Sequence, residues 1–228
     1  LPPGLSIDDD GTITGTLDSD ASRTSPFTIE VTANDDQGGT ATAQFQWQVN
    51  NPAPTANADQ GIADEDTAYT HSVATNDFDV DGDELTFVIL THPEHGTIDW
   101  NDNGTYTYTP QANFHGTDRF TYQVTDADGS VATASVDIEV RSINDAPNLL
   151  TSLETLDHRD GDLINLSMAD HFADIDEDSL EFSATGLPPG LSMDSNGSIT
   201  GTIDSNASAS GPYEVAITAE DGSASTVT

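Results

Sequence analysis

Residues 96–109 read GTIDWNDNGTYTYT, two short alternating runs on either side of a turn. Side chains alternate across a strand with a period of two, so Ile98 and Trp100 leave the first run on one face, as Tyr106 and Tyr108 leave the second. A two-residue Asn-Gly loop would shift the register and scatter these four side chains over both faces. A three-residue Asp102-Asn103-Gly104 loop, with Gly104 in the left-handed conformation, pairs Trp100 with Tyr106 and Ile98 with Tyr108 and keeps a single apolar face. The stretch therefore predicts a hairpin in a sheet with one buried side. The same rule pairs Ile7 with Ile13 across Asp9-Asp10-Gly11, and Met193 with Ile199 across Ser195-Asn196-Gly197.

Outward from these hairpins the pattern continues. The runs FTIEVTA (27–33), TATAQFQWQV (40–49), RFTYQVTD (119–126), TASVDIEV (133–140) and YEVAITA (213–219) alternate, are rich in β-branched and aromatic residues, and are separated by Gly, Asp and Asn turns. No helical periodicity competes with them, and the fold class is all-β. LPPGLSIDDDGTITGTLDSDAS at the N-terminus returns at residue 187 as LPPGLSMDSNGSITGTIDSNAS, with Leu1 on Leu187 and Asp35 on Asp221 without a gap. The two ends are copies of one module. The first copy lacks its front half, and the second lacks most of the strand matching TATAQFQWQV. Between them lies a different module of the size of a small β-sandwich, bounded by the proline-stiffened stretches NNPAP and NDAP. The expected division is 1–51, 52–143 and 144–228. Residue 1 falls inside a motif, so the chain reads as an excerpt of something longer.

Charge narrows the function. Forty-one acidic residues face four arginines and no lysine, a formal net charge of -37 in 228 residues. Such a surface repels nucleic acid and anionic lipid, and its self-repulsion favours bound cations. Cysteine is absent, which leaves carboxylate and carbonyl oxygens as the main ligand supply, and oxygen ligands select hard ions such as calcium. No apolar run is long enough to cross a bilayer, so direct membrane insertion is not expected.

Residues 77–87, DFDVDGDELTF, place aspartates at 77, 79, 81 and 83. The opening resembles the first half of an EF-hand loop, with acids at positions one, three and five and glycine at six. Position twelve, however, is Val88, and LTFVIL reads as a strand where a helix should follow. The third module repeats the string in ADIDEDSLEF: Asp79, Asp81, Asp83, Leu85 and Phe87 match Asp174, Asp176, Asp178, Leu180 and Phe182 at constant spacing. A tight bend lets carboxylates two residues apart converge, which their mutual repulsion disfavours unless a cation lies between them. The competing reading is that these are solvated turn acids.

With these motifs in view, the middle module resembles the bacterial cadherin-like and VCBS-type tandem repeats over nearly its whole length, through EDTAYTHSVATNDFDVDGDELTF, GTIDWNDNGTYTYTPQANFHGTDRFTYQVTDADG and a closing INDAP. The flanking modules, with FADIDEDSLEFSATGLPPGLSMDSNGSITGTI, resemble the dystroglycan-type cadherin-like (Ig-like) family. The resemblance implies tandem Greek-key Ig/cadherin-like β-sandwiches on large secreted or surface-anchored bacterial proteins, often adhesins, with calcium at or near the junctions. Carried over residue by residue, Asn144 and Asp145 match the linker Asn-Asp, Asp174 and Asp176 match the Asp-x-Asp of the following module, and Glu65 matches an early acidic position. Asp126 and Asp128 sit in a turn facing either a junction or solvent. At the first junction Asn51 replaces the linker aspartate and Pro52 is inserted, which weakens a site there, although Asp77, Asp79, Asp81 and Asp83 remain as ligands within the middle module.

Chemistry for an enzyme is thin. His92-Pro-Glu-His95 lacks the helix that lets two histidines share a metal, and the serines have no GxSxG elbow. Trp100, Tyr106, Tyr108 and Trp47 suggest a sugar platform, but on an alternating face they are expected in the core. The leading expectation is a calcium-stiffened, non-catalytic extender or adhesion module, extracellular on a bacterial surface. Its expected partners are calcium ions, neighbouring modules of the same chain and cell-surface or polysaccharide ligands. The alternative is a calcium-dependent carbohydrate-binding module of a secreted polysaccharide-degrading enzyme.

Overall fold

A computed structural model describes residues 1–35, 37–223 and the backbone of 226–227. It divides into two compact units, Leu1–Ser142 and Ile143–Thr228. In the first, β1 (Leu5–Ile7) pairs with β2 (Ile13–Gly15), a 3-10 helix spans Ser19–Thr24, and β3 (Phe27–Asn34) pairs with β4 (Thr40–Trp47). The middle stretch supplies β5 (Asp59–Asp64), β6 (Tyr69–Ser72), β7 (Thr86–Thr91), β8 (Gly96–Trp100), β9 (Thr105–Pro110), β10 (Gly116–Thr125) and β11 (Val131–Arg141). These seven form a four-stranded sheet, β5-β11-β10-β7, and a three-stranded sheet, β6-β9-β8.

The apolar alternation of the hairpin at 96–109 builds the core. Trp100 lies opposite Tyr106 and Ile98 opposite Tyr108, and Gly104 has φ of +81°. Tyr106 and Tyr108 are fully buried against Phe120, Tyr122, Val136 and Ile138. Burying side chains of this size contributes about 2 kcal/mol each relative to exposure. Trp100 packs at the edge of the same cluster, and its indole N–H donates to the Phe87 carbonyl at 3.2 Å. Tyr106 and Tyr108 are not presented to solvent as a sugar platform would need, and Trp100 is half-buried. Trp47 is likewise half-buried, beside an exposed Phe45.

The first and last strands of this sandwich run parallel. β5 pairs with β11 from Asp59 opposite Val136 to Asp64 opposite Arg141, while every other pairing in the sandwich is antiparallel.

The second unit contains β12 (Asn148–Leu149), β13 (Leu163–Ser167), β14 (Phe172–Ala173), β15 (Glu181–Thr185), β16 (Leu191–Met193), β17 (Ser198–Thr202), β18 (Ala216–Glu220) and β19 (Thr226–Val227). Sheets β13-β17-β16 and β15-β18-β19 enclose a core that includes Ile164, Phe172, Ile199 and Ile217. Met193 lies opposite Ile199, and in the first unit Ile7 lies opposite Ile13. The glycines of both loops have φ near those of Gly104, +83° at Gly11 and +82° at Gly197.

Candidate metal centres

In the first unit the candidate centre grows from the bend Asp79-Val80-Asp81-Gly82-Asp83, where Gly82 takes φ of +86°. The Asp81 amide donates to Asp79 Oδ1 at 3.0 Å, a local turn that folds the string back on itself. The second oxygen of each acid is left over. Asp79 Oδ2, Asp81 Oδ1 and Asp83 Oδ2 are buried without a hydrogen-bond partner. An unpartnered buried polar atom costs about 1–3 kcal/mol, more when charged, and three in one bend are an arrangement that a cation would relieve. The strain shows in protonation. The hydrogen bond shared with Asp79, then burial and the neighbouring charges, push Asp81 up to about 6; burial also raises Asp83, against the pull of Arg23.

The turn joining β10 and β11 adds two more acids. Asp126 Oδ1 accepts the amides of Asp128 and Ser130 at 3.0 and 2.8 Å, and its Oδ2 accepts from Asn51 Nδ2 at 2.8 Å. Asp128 Oδ2 accepts from the Ser22 hydroxyl at 2.5 Å, and Arg23 Nε donates to Asp128 Oδ1. The Ser22 bond first, and then Arg23, hold the Asp128 carboxyl below its ordinary range. Of the two faces open to Asp126 and Asp128 from sequence, the structure gives them the Asn51 side.

Two further expected residues make other contacts within the sandwich. Asp77 accepts from the Asn57 amide at 2.7 Å and from the Tyr122 hydroxyl at 2.9 Å, so both its oxygens are engaged by the sandwich. Glu65 is buried just past β5, where its amide donates to the Arg141 carbonyl at 3.0 Å and its carboxylate lies 3.9 Å from His115.

The second unit repeats the design. Asp174 Oδ1 accepts the amides of Asp176 and Asp178 at 2.9 and 3.3 Å, and Asp174 Oδ2 is buried without a partner, as Asp79 Oδ2 is. Asp221, 7% exposed, accepts from the Ser223 amide and from Asn144 Nδ2 at 2.7 and 2.9 Å. Asp145 donates its amide to Asp176 Oδ2 at 2.7 Å. Asp221 escaped sequence reading, although its gapless coincidence with Asp35 was a usable signal: Asp35 closes its own turn on Gln37 and Gly39 in the same way.

Hydrogen bonding also realigns the first junction. Asn51 Nδ2 donates to Asp126 Oδ2 and to the Pro52 carbonyl, as Asn144 Nδ2 donates to Asp221 Oδ2 and to the Asp145 carbonyl. Asn51 is therefore the counterpart of Asn144, and Pro52 is the residue standing where the linker aspartate would be. Proline has no amide N–H, so nothing matches the Asp145 amide that serves Asp176, and Asp81 Oδ1 stays unpartnered. Among expected non-sites, His95 lies in a turn, its amide on Asp118 at 2.9 Å and its ring stacked on Phe114 at 4.2 Å. Among the described residues no helix is long and apolar enough to cross a membrane.

Comparison with known proteins places these observations. Protein GAMETE EXPRESSED 2 of Arabidopsis thaliana is 34% identical over 76 residues, 33% of this chain and 8% of that protein. Among solved structures, extracellular cadherin domains 1-4 of Protocadherin Gamma B7 align over 95% of this chain and 59% of theirs, at 19% identity and a TM-score of 0.46. An endo-fucoidan hydrolase from glycoside hydrolase family 107 aligns over 100% of this chain and 36% of its own, at 21% identity and a TM-score of 0.37. The family profile described as "Bacterial cadherin-like domain" matches residues 51–142. The profile described as "Putative Ig domain" matches residues 1–50 and 147–228, more than half of the chain. The chain thus belongs to that Ig-domain family through its two flanking segments and carries a bacterial cadherin-like domain between them.

Proposed function

We propose that this chain is a calcium-stiffened extender or adhesion module of a large secreted or surface-anchored bacterial protein, acting by holding and orienting neighbouring modules and not by catalysis. The observation that carries the reading is the set of buried, unpartnered carboxylate oxygens on Asp79, Asp81, Asp83 and Asp174. Asp79, Asp81 and Asp83 would hold one centre, joined by Asp126 and Asp128 on giving up hydrogen bonds to Asn51, Ser22 and Arg23; Asn144, Asp145, Asp174, Asp176, Asp178 and Asp221 would hold another, and Glu65 is a further oxygen donor of the first unit. All are oxygen donors, the set that a hard cation taking six to eight ligands requires. Calcium would supply the positive charge that lets the acids crowd, and the chain's own residues supply the bends that aim them. In this reading residues 1–51, 52–143 and 144–228 act as three modules, whose working place is outside the cell and whose outer ligands are cell-surface or polysaccharide groups.

Calorimetric titration with calcium tests the binding. We expect saturable uptake between about 0.1 and 1 mM, reduced by Asp79→Asn with Asp81→Asn, and separately by Asp174→Asn with Asp176→Asn. Absence of uptake in the unaltered chain would reject the proposal. Small-angle scattering with and without a chelator tests the stiffening, and an identical profile in both would remove it.

A further inference from the structure

We infer that Arg23 is a resident counter-ion of the first-unit centre, competing with calcium for Asp83 and Asp128 and so setting the calcium concentration at which that centre fills. This rests on the proposed calcium reading of Asp79, Asp81 and Asp83, and adds a residue that sets its threshold.

Arg23 lies on the 3-10 helix Ser19–Thr24, and its guanidinium makes three acidic contacts: Asp128 through Nε, Asp83 through Nη2 at 3.5 Å, and Asp20 through Nη1 at 3.3 Å. Only four cations of this kind exist in a chain of net charge -37, and this one is spent here. The Asp83 side chain is only 5% exposed, and while its Oδ1 faces the guanidinium its Oδ2 has no partner. The centre is therefore half neutralised from within: Arg23 covers one side of the acids, and the unpartnered oxygens of Asp79, Asp81 and Asp83 mark the side it leaves open. The internal repeat supplies a comparison. In the gapless match of the two Ig-like copies, Ser22 meets Ser208 but Arg23 meets Ala209 and Asp20 meets Asn206. The hydroxyl is common to both copies; the arginine and its outer aspartate occur in the first copy alone.

A guanidinium and a divalent ion drawing on the same two carboxylates repel one another, so calcium must fill the site against Arg23 or displace it from Asp83. A unit charge a few ångströms from a divalent ion, seen through solvent, alters binding by about tenfold.

The full chain carrying Asp174→Asn and Asp176→Asn, which silences the second-unit centre, is titrated with calcium by calorimetry, with and without Arg23→Gln and Arg23→Lys. We expect Arg23→Gln to lower the half-saturating calcium concentration about tenfold, and Arg23→Lys, which keeps the charge, to stay near the parent. Thermal melts separate this role from a merely structural one. Arg23→Gln should melt earlier than the parent in chelator, where the acids lose their counter-ion, and no earlier in saturating calcium; a lower melting temperature in both conditions overturns the inference. Calcium binding by the parent that Arg23→Gln leaves unchanged or weakens overturns it too, with the calcium reading intact. No binding by parent or variants overturns both.

Discussion

Tyr122 offers one hydroxyl hydrogen to three acceptors. Its oxygen lies 3.0 Å from Asp59 Oδ2, 2.9 Å from Asp77 Oδ2 and 2.9 Å from the Asn57 carbonyl. Two carboxylates around one donor are better satisfied when one holds a proton, and burial first, then the Asp77 charge, raises Asp59 above its ordinary 3.8; burial raises Asp77 as well. Because the folded state keeps this proton where the unfolded chain has released it, the pair's contribution to stability is full only below the ordinary value of 3.8. It declines as pH rises through the raised folded values. Asp59→Asn should flatten that decline and add about 1 kcal/mol at pH 7, measured by urea unfolding in chelator from pH 4 to 7. A steeper decline in the variant would count against this account. The sequence showed the aspartates but not this partition of them. Spacing alone put Asp77 with Asp79 and Asp81. What separates it is the bridge between Phe78 and Thr55, which turns Asp77 toward Tyr122, and a one-residue bridge leaves no periodic trace.

Elements with a strict two-residue period were the most legible. All three hairpins take the register that keeps their apolar residues on one face, and in the sandwich a slip would turn Ile98 and Trp100 away from the core. Short strands such as β6 and β12 carry no such signal, because YTHS and NL are too brief for alternation to show. The hairpin loops also differ in what surrounds them, which separates conformation from crowding. A Cβ on Gly104 would meet Val73 Cγ2 at 3.1 Å and Phe87 Cγ at 3.2 Å, whereas one on Gly11 would meet nothing within 4 Å. Gly11→Ala should therefore cost about 1 kcal/mol, from the left-handed backbone alone. Gly104→Ala should cost about 3 kcal/mol, because the neighbours must also yield. Equal losses in chemical denaturation would show that the tight contacts at Gly104 relax freely.

For the molecule as a whole, charge sets the conditions of stability. A formal charge of -37 makes the folded state repel itself, so sodium chloride should raise the melting temperature of chelated protein. Calcium should raise it further at equal ionic strength, by about 1.4 kcal/mol per centre at ten times the dissociation constant. Equivalence of the two salts would leave screening as the entire effect. The repeat of the end modules was plain at this scale, because two copies align without a gap. The junction was not, because matching Asn51 to Asn144 and Pro52 to Asp145 depends on which side chain meets which turn. The parallel pairing of β5 with β11 bears on how such a module carries tension. Pulling on the chain before β5 and after β11 drags these neighbours past each other lengthwise, so their six registered residue pairs must give way together. A hairpin loaded at its open end would peel one rung at a time. A sandwich loaded in this way gains resistance from that arrangement of its first and last strands.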